Sequence, residues 1–91
     1  MEEQILTQAI ERVREMEALF DSLLAAADRE PPVIPEDQLA VLLQYYEGGQ
    51  WLRDYELDEA GLFPADLKRS VLSEDGVYNY LAQIRDTILQ D

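Results

Sequence analysis

Apolar residues return along the first third of the chain with the period of a helix. Leu6, Ala9, Val13, Met16, Phe20, Leu23 and Ala27 recur at spacings that alternate between three and four. This is a heptad seam held for three heptads. Ile5, Ile10, Leu19 and Leu24 flank it and widen the stripe. No glycine or proline interrupts the run, so one helix is expected from Glu3 to about Asp28. Glu2 and Glu3 lie where the helix dipole favours negative charge. Arg29-Glu30-Pro31-Pro32 ends it, because proline cannot continue a helix and restricts the residue before it.

The expected first helix is long for its chain. About 26 residues span roughly 39 Å. A compact fold of this length has a radius of gyration near ~12 Å and a diameter of about 30 Å. Either other elements lie along the helix to match it, or it protrudes and pairs with a second chain, which leaves a homodimer open.

Pro31 to Pro35 is a stiff, extended linker. A second helix starts at Pro35 or Glu36, with Glu36 and Asp37 in its first turn and Leu39, Leu42, Leu43 and Tyr46 on its apolar face. Gly48-Gly49 breaks it. A third helix follows from Gln50 to Ala60, with Gly61 as its C-terminal cap. Laid end to end, the second and third helices cover roughly 35 Å. Pro64 to Lys68 reads as a single helical turn. Ser73 reads as an N-cap, with Glu74 and Asp75 opening a last helix that runs to Gln90 on a seam of Val77, Leu81, Ile84 and Ile88. No segment alternates like a strand. The expected fold is all-α: residues 1–91 form one small helical bundle with a long N-terminal helix, a broken middle helix and a C-terminal helix.

Charge and composition narrow the function. The chain carries 20 acidic residues against 7 basic ones, a net of −13. Direct binding to nucleic acid phosphates is not expected, because that affinity comes from Lys and Arg. Adsorption to an anionic membrane is disfavoured for the same reason. There is no cysteine and no histidine, which removes thiolate chemistry and the commonest general base and metal ligand. The start, MEEQILTQAIERV, lacks the basic and apolar regions of a secretory signal, and no stretch reaches the ~20 apolar residues of a membrane span. The expected compartment is the cytoplasm.

The segment from Gln50 to Tyr80 is dense in charge and aromatic residues. Asp54, Glu56 and Asp58 fall at the first three ligand positions of an EF-hand loop, but Glu59 stands where the glycine belongs and Ala65 where the closing glutamate belongs. The acids of this stretch read instead as a solvated face. Gly48-Gly49 lacks the context of a phosphate loop, and Ser70 and Ser73 have no histidine partner. No metal or cofactor is expected. Trp51, Tyr55 and Phe63 are expected to fill the core where the broken helix bends, although Trp and Tyr also suit partner-facing pockets. Lys68-Arg69 is the only adjacent basic pair. Asp54, Asp58 and Asp66 are expected to form a charge network with Arg53, Lys68 and Arg69 that orders the chain between two helices. The candidate interaction or structural network comprises Trp51, Arg53, Asp54, Tyr55, Asp58, Asp66, Lys68, Arg69, Asp75 and Tyr78.

The run WLRDYELDEAG…PADLKRSVLSEDGVYNYL resembles small bacterial proteins grouped as domain-of-unknown-function family 4298, which share a DYE…DE-G…P-DLKRGVLSEDG-Y pattern. The resemblance covers the whole length and is specific over Trp51 to Tyr78. Ser70 stands where the pattern has glycine. The resemblance implies a bacterial origin and a distinct folded unit, and carries no activity with it. The expected function is a small, acidic, non-enzymatic protein-interaction module with its contact surface on Trp51 to Tyr78 and a protein partner of unknown identity. An acidic inhibitor or immunity-type protein, imitating nucleic acid to block a basic site, comes second. An enzyme of unknown type comes third.

Overall fold

Twenty-five residues without glycine or proline form the first helix, α1, from Glu3–Ala27. The computed structural model describes residues 3–73 and 75–89. The helix ends where the Val33 N–H turns back to the Ala26 carbonyl at 2.9 Å, satisfying a carbonyl of the last turn. An extended linker leads to α2 (Glu36–Glu47), and α3 (Gln50–Glu59) follows immediately after the break at Gly48 and Gly49. A 3-10 turn covers Ser70–Leu72, and α4 occupies Gly76–Leu89. The fold is all-α, with no strand among the described residues. The molecule is elongated, 48 × 22 × 21 Å, with a radius of gyration of 14.1 Å.

The seam of α1 is covered within one chain. Ala9, Val13, Phe20, Leu23 and Ala27 are buried, while Leu6 and Met16 are half-buried beside them. They meet Leu42 and Tyr45 of α2, Phe63, Leu67, Val71 and Leu72 of the connecting segment, and Val77, Tyr80 and Ile84 of α4 in one core. α2 and α3 pack on each other, α2 packs along α1, and α4 packs mainly on the 3-10 turn. Phe20 meets Tyr80 edge to face, with centroids 6.0 Å apart and planes at 84°.

Gly61 ends α3 in the manner its position predicts. It takes φ +74. The Gly61 N–H reaches the Asp58 carbonyl at 2.9 Å and the Leu62 N–H reaches Leu57 at 3.2 Å. These two bonds define a Schellman cap. Gly76 has a different reason to be glycine. A Cβ there would stand 2.7 Å from the Ser70 carbonyl oxygen, so α4 can approach the 3-10 turn only without a side chain.

Several expectations need correction. On α2 the buried residues are Leu42 and Tyr45, whereas Leu39, Leu43 and Tyr46 are half-buried. Of Trp51, Tyr55 and Phe63, only Phe63 is buried; Trp51 packs against the core half-buried, and Tyr55 is half-buried. Pro64 to Lys68 is not a helical turn but a loop closed by one bond from the Leu67 N–H to the Pro64 carbonyl. Ser73 is not the N-cap of α4: among the described residues the first helical bond runs from Asn79 N–H to the Asp75 carbonyl at 2.8 Å, which places Asp75 at the helix entrance. Glu2, Glu74 and Gln90, and the side chain of Ile88, lie outside the described residues.

The Tyr80 hydroxyl is enclosed in the core with no hydrogen-bond partner among the described residues. An orphaned buried hydroxyl costs about 1–3 kcal/mol. Tyr80→Phe is therefore expected to raise stability by roughly 1 kcal/mol, or about 4–8 °C in Tm. Phe20→Ala, which empties the other half of the ring pair, should cost about 3–5 kcal/mol. Thermal melts of both variants check the assignment; a fall in Tm for Tyr80→Phe would contradict it.

Candidate interaction surface

Asp54 has no exposed surface at all. A carboxylate in that position must be paired, because the desolvation of a bare charge is severe. Three bonds satisfy it. Arg12 on α1 donates from Nε to Oδ2 at 2.9 Å and from Nη2 to Oδ1 at 2.5 Å. Tyr45 on α2 donates its hydroxyl to Oδ2 at 2.7 Å. Three helices thus meet on one side chain. The hydrogen bond to Asp54 pushes the Arg12 pKa up. Burial, followed by the bond to Asp54, pushes the Tyr45 hydroxyl far above the ordinary tyrosine value.

One and a half turns farther along α1, Glu17 is only 5% exposed. Its two oxygens accept the backbone N–H groups of Ser70 (3.2 Å) and Val71 (2.9 Å). The Val71 carbonyl accepts the indole N–H of Trp51 at 2.7 Å. Both peptide groups of Val71 are therefore held by side chains of other elements. No described non-glycine residue has positive φ, so Ser70 sits in the 3-10 turn in a conformation ordinary for serine.

Arg69 closes the segment from the other side. It pairs with Asp58, donates from Nη2 to the Pro64 carbonyl at 3.0 Å and from Nε to the Leu67 carbonyl at 3.3 Å. The expected charge network is thus only partly formed. Asp58 and Arg69 do come together, but Asp54 belongs to Arg12, 42 residues away. Arg53, Asp66 and Lys68 are exposed and form no ion pair among the described residues. The acidic face is also not uniformly solvated, since Asp54 points into the core.

The candidate residues divide among several surfaces. Trp51 stacks on Tyr55 with centroids 5.2 Å apart, and Tyr46 meets Trp51 edge-on at 5.1 Å. This half-exposed aromatic row borders a shallow groove. It is lined by Tyr55, Asp58 and Glu59 of α3 and by Arg69, Leu72, Ser73 and Asp75 of the segment that follows. Asp66 and Lys68 line a separate depression with Arg14 and Glu17. Arg53 shares a third with Arg12, Ile5 and Leu62. Tyr78, 65% exposed, lies on the outer face of α4.

The family described as Domain of unknown function (DUF4298) matches residues 1–90. The chain belongs to that family. No curated protein and no solved structure matches this DUF4298 chain. None of its described helices is long and apolar enough to cross a membrane.

Arg12, Glu17 and Tyr45 were missed as key residues. Glu17 carried a signal: it lies four residues after Val13 and three before Phe20, inside the apolar stripe. A charge in such a place asks for a buried partner. Arg12 borders the same stripe, but nothing in the spacing names Asp54 as its counterpart.

Removing one member of a buried pair leaves the other uncompensated, at a cost of about 3–5 kcal/mol. Arg12→Met should show this loss in urea unfolding. The triple variant Arg12→Met, Asp54→Leu, Tyr45→Phe, which removes every polar partner together, should recover most of it. A loss below about 1 kcal/mol for the single variant would mean that Asp54 does not need Arg12.

Stability should also fall at high pH. Above about pH 10 an unfolded tyrosine releases its proton. Folded Tyr45 and Tyr80, whose pKa values are raised, keep theirs. The unfolded state then binds fewer protons than the native one, so stability declines by up to about 1.4 kcal/mol per pH unit for each such tyrosine. Tyr80→Phe should make the decline between about pH 10 and 12 shallower, as measured by denaturation at each pH.

Proposed function

We propose that the protein is a small, acidic, non-enzymatic helical module that binds a partner protein through the Tyr46–Trp51–Tyr55 row and the charged groove beside it. The stacked pair Trp51–Tyr55 carries this reading. Aromatic rings offer large contact area at low entropic cost and keep a polar edge, which is why they dominate the energetic centres of interfaces. Here the row is fixed from below, since the Trp51 indole is bonded to the Val71 carbonyl, so little ordering is left for binding. Asp54 and Asp58 of the same helix are engaged in ion pairs with Arg12 and Arg69.

The acidic-mimic reading stands second, and the shape of the molecule favours it to a degree. A net charge of −13 over a 48 Å axis is one charge per about 3.7 Å. Duplex DNA carries one per about 1.7 Å. The protein therefore has roughly half the linear charge of the polymer it would imitate.

Capture of partners from the native cell, identified by mass spectrometry and then titrated as pure proteins, separates the two. The interaction module predicts that Tyr55→Ala weakens binding more than about tenfold, with most of the affinity kept at 0.2 M salt. Affinity that collapses between 50 and 200 mM salt and ignores Tyr46 and Tyr55 would replace the first reading with the second.

A further inference from the structure

A three-residue turn stands between the aromatic row and the last helix, and its backbone is claimed from three directions. The Val71 carbonyl accepts the indole N–H of Trp51 on α3 at 2.7 Å. The N–H groups of Ser70 and Val71 go to Glu17 on α1 at 3.2 and 2.9 Å. The Ser70 carbonyl lies against the start of α4, where a Cβ on Gly76 would stand 2.7 Å from its oxygen. Val71 and Leu72 are buried in the shared core. In close packing of this kind the turn cannot follow one neighbour alone, and a shift of its backbone disturbs all three attachments.

The attachments are unequal. α4 takes its main packing from the turn itself. It adds Val77, Tyr80 and Ile84 to the core, and Tyr80 brings a hydroxyl without a partner among the described residues. An element held chiefly through one short turn opens more readily than the fold as a whole. Trp51 stands at the other end of the same connection. Its ring stacks on Tyr55 at 5.2 Å and meets Tyr46 edge-on at 5.1 Å. Its N–H is satisfied only while the Val71 carbonyl stays in place, and a part-buried donor that loses its acceptor is penalised.

We infer that docking of α4 controls the order of the aromatic row, with the Ser70–Leu72 turn as the coupling element. With α4 docked, the turn is held against Glu17 and Trp51, and the row is fixed. With α4 released, the Val71 carbonyl withdraws and Trp51 loses its anchor. That this coupling regulates partner binding rests on the interaction-module reading. The coupling is reciprocal: whatever orders the row favours docked α4, and whatever draws α4 away weakens binding at the row by the same factor.

The first part of the test needs no partner. Trp51 is the only tryptophan, so its Nε1–H gives a single resonance. Gly76→Ala forces α4 away from the Ser70 carbonyl, and Ile84→Ala removes a core contact about two turns farther along the helix. Neither changes a residue of the row. Hydrogen exchange of the backbone amides of residues 80–86 should quicken at least about tenfold in both variants, while those of Val13 and Leu42 stay within about twofold. The indole resonance should move upfield in both, towards the position of a free indole. Trp51→Phe, which removes the donor and keeps a ring, should quicken the same α4 amides. If those amides quicken while the indole signal stays in place, the inference is overturned, and α4 merely rests on a turn that Glu17 holds unaided. Equal quickening of Val13, Leu42 and α4 would overturn it as well, because α4 would then not open as a separate unit. Unchanged α4 exchange in Trp51→Phe would break the reciprocity and with it the coupling.

A partner captured from the native cell then tests the regulation. Gly76→Ala should weaken its binding at least about fivefold. A partner that ignores Gly76→Ala but is lost with Tyr55→Ala overturns the regulatory inference and leaves the module standing. If every captured partner ignores Tyr55→Ala, the module reading fails at its aromatic row, while exchange and the indole resonance still decide the coupling.

Discussion

A carboxylate with no exposed surface sits at the junction of three helices, and the arrangement of the helices follows from the need to satisfy it. Moving an unpaired ion into a protein interior costs several kcal/mol even after relaxation. Asp54 avoids that cost only where Arg12 and Tyr45 both reach it. The demand is geometric. A slip of one helical turn would carry Arg12 about 5.4 Å along the axis and break both of its bonds. Apolar packing of α1 on α2 is less exacting, because the seam presents an apolar residue at nearly every turn. The buried pair thus contributes more to selecting the register of the bundle than to its net stability.

The same logic continues along α1. Arg12 holds α3, Glu17 holds the 3-10 turn, and Phe20 holds α4 through Tyr80. These residues follow one another on the inward side of the helix, so one long helix serves as the spine to which each later element is fastened. The segment between α3 and α4 has little regular structure of its own, and its backbone groups must find partners elsewhere. Glu17 takes two N–H groups, Trp51 takes a carbonyl, and Arg69 takes two more. The charge and aromatic density of this stretch, prominent already in the sequence, is thus explained in large part by backbone satisfaction.

The helices were legible because their signals are local. The alternation of three and four, the pair Gly48-Gly49 and the prolines after Arg29 each act within a turn or two. The Schellman cap at Gly61 was legible for the same reason. The pairing of Arg12 with Asp54 was not, since it spans 42 residues and any of 20 acids could in principle have served. Tyr45 and Tyr46 are adjacent and chemically identical; only the position of Asp54 decides which one turns inward. Trp51 and Tyr55 were expected in the core because aromatic rings bring large apolar area, yet Trp51 packs against the core from its edge with its indole N–H held by the Val71 carbonyl, and Tyr55 stacks on Trp51. Ser73 has a good capping side chain, but it belongs to the end of the 3-10 turn, where its N–H meets the Ser70 carbonyl at 3.1 Å, and the Asp75 carbonyl accepts the first helical bond found among the described residues.

The last helix is attached through the turn that precedes it. Its main packing partner is the 3-10 turn, while Val77, Tyr80 and Ile84 join the shared core and Gly76 leaves room for the Ser70 carbonyl. Glu17 on α1 accepts the N–H groups of Ser70 and Val71 in that same turn. The position of α4 therefore depends on a carboxylate carried by another helix, because whatever moves the turn moves the surface on which α4 packs.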